Sequence, residues 1–139
     1  AWSIVAIGPE RLFEAGMDAD KILEFVKAKC LATISYKGSD GKAITVSGFD
    51  FALSQRVGRS PVISAEWTAQ MVISYRIMYK YYQQKADFEK AKYYDKLAND
   101  YLTEITKLII SASSPTGEGG GYLLYTTSES SPYSARRIP

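Results

Sequence analysis

Residues Val62–Ile110 constrain this chain more than any other stretch, because they carry two long apolar periodicities of helical pitch with only a short connection between them. In the first run, Ile63 to Tyr82, the residues Trp67, Met71, Tyr75, Met78 and Tyr82 recur on one face, and Ala65, Ala69, Val72 and Ile73 fill its flanks. The second run, Asp87–Ile110, has a narrower stripe of Ala91, Tyr94, Ala98, Tyr101, Ile105 and Leu108, with Lys90, Lys92, Asp95, Lys96 and Asp100 pointing away from it. A connection as short as Gln83–Ala86 forces antiparallel neighbours, and Asp87 is placed to cap the second helix. The expectation is a helical hairpin. Its first helix, apolar nearly all round, should be buried on more than one side, and its second should lie at the surface.

Composition limits what such a hairpin can serve. The chain has 139 residues, 46% of them hydrophobic, which suits one folded domain. Its 17 basic and 15 acidic residues leave a net charge of +2, too little to attract nucleic acid or an anionic membrane. No apolar run approaches the roughly 20 residues needed to span a bilayer. Histidine is absent and Cys30 stands alone. Serine–histidine and cysteine–histidine catalysis are thereby excluded, as are a Cys/His zinc site and an internal disulfide, and carboxylates remain as the general acids and bases. No metal and no cofactor is expected. Cys30 reads as a small buried hydrophobe.

Before the hairpin, Trp2, Val5 and Ala6 read as the last turns of a helix stopped by Gly8-Pro9. Pro9 opens a short helix Glu10–Ala15, Gly16 closes it, and Asp18 or Asp20 caps a third carrying Ile22, Leu23, Phe25, Val26 and Cys30, with Lys27 and Lys29 at the end where the dipole favours them. Leu31–Tyr36 and Ala43–Val46, around the Gly38–Gly41 tetrad, predict a β-hairpin that must lie on the helices to be stable. Gly48–Leu53 and Ser54–Pro61 read as loop, ending at Ser60 or Ser64 as the cap of the long buried helix. After Ile110 the Ser- and Gly-rich stretch Ser111–Gly121 is loop, Tyr122–Thr126 is a strand candidate, and Ser128–Pro139 is polar surface.

Two places could carry chemistry. Asp50 lies between Phe49 and Phe51, where desolvation would raise its carboxyl toward use as a general acid; the alternative is that it caps a turn or pairs with Arg56. Glu66-Trp67 sets a carboxylate beside an indole, a pairing suited to sugars, since acids bind hydroxyls and rings stack on indole; equally, the acid suits a helix N-terminus and the tryptophan a core. The tyrosines of the hairpin mostly sit at helical spacing, which explains most of them by packing with the hydroxyl at the surface. Gly117–Gly121 lacks the Lys-Ser/Thr ending and following helix of a phosphate-binding loop, and Arg136-Arg137 reads as a solvated pair.

Phe49–Ile110 resembles one hairpin of an (α/α) toroid: Gly48-Phe49-Asp50-Phe51-Ala52 precedes a loop, Ser64-Ala65-Glu66-Trp67-Thr68-Ala69-Gln70-Met71 opens a buried helix, and an outer helix leads to Gly119-Gly120-Gly121-Tyr122. That is the six-hairpin glycosidase superfamily. The resemblance implies a mainly α fold of antiparallel helical hairpins with a small β-hairpin, and carbohydrate as the partner. It also implies a rim site in which Asp50 and Glu66 are the catalytic carboxylates of a hydrolase, facing one shared concavity, and Trp67, Arg56, Gln70 and Tyr122 bind the sugar. A second likeness, over Tyr79–Tyr101, is to tetratricopeptide-like helical pairs, through the small-and-aromatic spacing of Ala86-Asp87-Phe88-Glu89-Lys90-Ala91-Lys92-Tyr93-Tyr94, and implies a scaffold for protein partners.

The opening Ala1–Ile7 has no initiator methionine, basic leader or cleavage site, so the chain reads as starting inside an apolar element of a larger helical toroid. Trp2, Ile4 and Ile7, with part of the buried helix, are then expected to form an apolar patch that the remainder of a longer chain or a second copy of this one covers.

Overall fold

The computed structural model describes the backbone of residues 1–37, 42–113, 120–123 and 126–127, and the side chains of residues 1–36 and 42–109. The fold is mainly helical, with small antiparallel two-stranded sheets. Helix α1 (Trp2–Ile7) ends at Gly8, whose φ of 88° breaks the helix, and α2 (Pro9–Glu14) starts on a proline that needs no amide partner. Helix α3 (Ala19–Cys30) is capped by Asp18, whose Oδ1 accepts the Lys21 amide at 3.1 Å. Strands β1 (Leu31–Lys37) and β2 (Ala43–Phe49) pair antiparallel, Leu31 opposite Phe49 and Lys37 opposite Ala43. A short α4 (Ser54–Val57) interrupts the segment that follows.

Strand β3 (Ile63–Ser64) leads directly into α5 (Ala65–Gln84), and the Ser64 hydroxyl caps it by accepting the Trp67 amide. The corner into α6 (Phe88–Thr106) turns on Ala86, at φ 57°, and Asp87 accepts the Lys90 amide at 3.1 Å, the cap expected of it. Strands β4 (Ile109–Ser113), β5 (Gly120–Leu123) and β6 (Thr126–Thr127) complete the order; β4 pairs with β5, and β6 with β3. Helix α6 is thus shorter than the run to Ile110, because Ile109 and Ile110 join a strand pair.

The hairpin α5–α6 is the centre of the core. Met71, Tyr75, Met78 and Tyr82 of α5 meet Ala91, Tyr94, Leu97, Ala98 and Tyr101 of α6, while Ile4, Leu12, Ala19 and Leu23 close over them from the first three helices. Along the seam the rings form a column, Phe49–Tyr101 at 4.8 Å, then Tyr75, Tyr94 and Tyr82 at successive spacings of 6.0, 6.0 and 5.8 Å. A second cluster, Ala32, Val46, Ile63, Ala65 and Leu108, lies beneath the β1–β2 ribbon. Gly48 permits it: a Cβ there would stand 2.6 Å from Ile63 Cγ2 and 2.8 Å from Thr68 Oγ1.

Several expectations are corrected. Helix α5 is buried on more than one side, as expected, but one strip of it, Glu66, Ile73, Lys80 and Gln84, faces outward, with Ile73 at 49% exposure. Ile4 is fully buried, so the outward apolar residues of α1 are Trp2, Val5 and Ile7. Gly48 and Phe49 belong to β2 rather than to a loop, because Phe49 enters the core. Three tyrosine hydroxyls depart from the surface reading: those of Tyr82 and Tyr94 donate to Asp20 at 2.5 Å each, and that of Tyr75 is buried without a partner among the described residues.

Candidate functional site

Asp50 sits where β2 ends, and its amide donates to the Cys30 carbonyl at 2.8 Å, which extends the ribbon by one pair. Its side chain is only 3% exposed. Both oxygens are engaged: Arg59 Nη2 donates to Oδ1 at 2.7 Å and Nη1 to Oδ2 at 2.8 Å, while the amides of Ala52 and Val62 donate at 3.2 and 3.1 Å. The guanidinium also stacks on Phe51, 4.6 Å from the ring centre. One carboxylate therefore closes the neck of the loop from Asp50 to Val62.

This geometry favours the pairing reading of Asp50 over the general-acid one. Burial pushes its carboxyl up, but the hydrogen bonds from Arg59, Val62 and Ala52 and the Arg59 charge outweigh burial and hold it below its ordinary value. An anion so fully accepted has no proton to give and no lone pair directed at a substrate. The pairing partner is Arg59 and not Arg56, which lies exposed on α4.

Glu66 occupies the first turn of α5 and is exposed, and Gln70 Nε2 donates to its Oε1 at 3.1 Å. Trp67 is half-buried against the main core. On a helix, residues 66, 67 and 70 fall within an arc of about 100°, so the carboxylate, the indole and the carboxamide share one side of the N-terminal end of α5. The Gln70 Oε1 is buried without a hydrogen-bond partner among the described residues. Tyr122 pairs with Ile110 through its backbone, and its side chain lies outside those described. Glu66, Trp67 and Gln70 are thus brought together, whereas Asp50 is turned inward to Arg59 and does not face them.

The open grooves on the described surface lie elsewhere. One runs between α3, β2 and α6, lined by Lys27, Ser47, Lys96, Asp100, Thr103 and Glu104; another lies where α1 and α2 cross α5, lined by Ile7, Glu10, Arg11, Ile77, Lys80 and Tyr81. Both mix charges of each sign. Among the described residues no three His, Cys, Asp or Glu side chains are grouped to hold a metal ion, and no helix is long and apolar enough to cross a membrane.

A second, partly buried acid, read from the sequence only as a possible helix cap, has a different role. Asp20, in the first turn of α3, accepts the Tyr82 and Tyr94 hydroxyls and Lys90 Nζ, the last at 3.0 Å. Lys90 also stands 4.6 Å above the Tyr82 ring. This network ties α3 to both long helices. Nothing in local sequence marks it, since Asp20 lies more than sixty residues from its partners. Comparison with protein-family models, curated proteins and solved structures finds no match.

Proposed function

We propose that this chain is part of an (α/α)-toroid-type protein that binds carbohydrate at the N-terminal end of α5. The observation that carries the reading is the juxtaposition of Glu66, Gln70 and Trp67 on one side of that helix end. A carboxylate oriented by a carboxamide accepts hydrogen bonds from vicinal hydroxyls, and an adjoining indole face offers the apolar surface against which a pyranose ring stacks. The neck of the neighbouring loop, held by Asp50 and Arg59, supplies the rigid support that such a site needs.

Binding is favoured over hydrolysis. Glycoside hydrolysis uses two carboxylates that flank the scissile bond, and Asp50 is committed to Arg59 and two backbone amides. The tetratricopeptide-like alternative rests on the α5–α6 pair alone, and its period does not recur in the sequence.

Tryptophan fluorescence tests the proposal. The chain has two tryptophans, so Trp2→Phe leaves Trp67 as the reporter. Titration with a panel of neutral oligosaccharides is expected to give a saturable change that Glu66→Ala or Gln70→Ala weakens by about tenfold or more. No response to any sugar, or a response indifferent to both substitutions, overturns it.

A further inference from the structure

Tyr75, in the middle of the aromatic column, is 1% exposed, and its hydroxyl is buried without a hydrogen-bond partner among the described residues. Its neighbours in the column differ, since Tyr82 and Tyr94 both donate to Asp20. Burial, and then the nearby Tyr101 and Tyr93, push the Tyr75 hydroxyl above its ordinary value, so it keeps its proton and is a donor. A phenolic O–H that nothing accepts is costly at this depth, and phenylalanine would fill the same ring position without that cost. A tyrosine here calls for an acceptor.

The space beside the ring can supply one. Tyr75 lines a cavity of about 10 Å³ between α3, α5 and α6, which has room for about one water molecule and no larger ligand. Two of its other walls, Leu23 and Leu97, are apolar and buried, whereas Glu24, Lys27 and Tyr93 bring polar groups to its outer end. A cavity walled by hydrocarbon alone stays dry, but one that offers a single water roughly two to four polar partners holds it. Two of these partners have capacity to spare: neither the Glu24 carboxylate nor the Tyr93 hydroxyl forms a hydrogen bond or ion pair with another described residue.

We infer that this cavity is a binding site for one internal water, which accepts a hydrogen bond from the Tyr75 hydroxyl and donates to the Glu24 carboxylate, with the Tyr93 hydroxyl as a further partner. The placement of Glu24 supports this. Asp20 and Glu24 lie one turn apart on the same face of α3, and Asp20 already takes the tyrosine hydroxyls that reach that face directly. The water extends the same polar line by one turn, so α3 is held to the hairpin by a direct clasp at Asp20 and a water-mediated one at Glu24.

A crystal structure that resolves ordered water, together with methyl–water cross-relaxation NMR on the full chain, tests the site. The expected result is one water at about 2.6–3.2 Å from both Tyr75 Oη and a Glu24 carboxylate oxygen. In solution the Leu23 and Leu97 methyl groups should cross-relax with a long-lived water. Tyr75→Phe keeps the ring and should abolish both signals and lower the urea midpoint. Glu24→Ala, at an exposed position, leaves the Tyr75 hydroxyl in place and should weaken the methyl–water signal. Density in which the Tyr75 hydroxyl bonds a protein group, or meets no water, overturns the inference. So does a methyl–water signal that survives both substitutions, or a raised urea midpoint in Tyr75→Phe, since the hydroxyl would then be an unmet donor whose removal is a gain.

Discussion

Replacing either member of the Asp50–Arg59 pair separates the role of the buried carboxylate from that of its cation. In Asp50→Ala, Arg59 keeps its bond to the Ser60 carbonyl and its contact with Phe51, and with a side chain 27% exposed it reaches water. The main loss is the charged acceptor of the buried Val62 amide and of the Ala52 amide, worth about 2–3 kcal/mol together. Arg59→Ala does more damage. It leaves a carboxylate at 3% exposure with two amide donors and no countercharge, for which about 3–5 kcal/mol is the expected cost. Urea denaturation at neutral pH reads both values, and the double substitution should cost clearly less than their sum, since the two share one interaction. The sign with pH follows from the lowered Asp50 carboxyl. Its contribution is complete above the unfolded carboxylate value near 4 and is lost as pH falls through the lower folded value. In Arg59→Ala the folded value should rise, which shrinks this acid-side loss, and carboxyl-carbon NMR should follow Asp50 titrating upward. Asp50→Ala costing as much as or more than Arg59→Ala, or an Asp50 titration unmoved by loss of Arg59, would refute this account of the clasp.

Other outcomes follow from particular contacts. Gly48→Ala places a methyl against Ile63 and Thr68 and should lose about 1–3 kcal/mol in a denaturation curve, with the far-UV spectrum retained. Met71→Ala empties a core position and should cost about 2–5 kcal/mol, whereas Lys92→Ala on the outer face of α6 should change stability by less than about 0.5 kcal/mol; equal effects would contradict the facing of the two helices. Burial and its bond to Asp20 push the Tyr82 hydroxyl up to about 12, so its share of stability is intact below the unfolded value near 10 and falls as pH rises from there toward 12. Tyr82→Phe should flatten that alkaline limb in thermal melts taken across the range.

What local sequence determined is the helical hairpin and its punctuation. The spacing of Met71, Tyr75, Met78 and Tyr82 against Ala91, Tyr94, Ala98 and Tyr101 specifies which faces meet, because helical period and apolar burial are properties of residues near in the chain. Asp18, Ser64 and Asp87 cap their helices for the same local reason, and the β-hairpin register follows the alternation of Ala32, Ile34 and Tyr36. The nearness of Glu66, Trp67 and Gln70 was legible too, since all three lie within two turns of one helix.

What tertiary structure decided is the state of each buried charge. Asp50 could be read as a raised general acid because sequence shows its apolar neighbours but not the guanidinium nine residues on, which only the closed loop brings within 2.7 Å. Asp20 gave no sign of its tyrosine and lysine donors, which arrive from helices far along the chain. The outward strip at Ile73 likewise depends on how many neighbours pack around α5, a number that apolar periodicity does not contain. Propensity and period act over a few residues. Desolvation and countercharge act through space, so the edge of β2 is covered by Thr68, Glu104 and Lys107 only once the helices have packed.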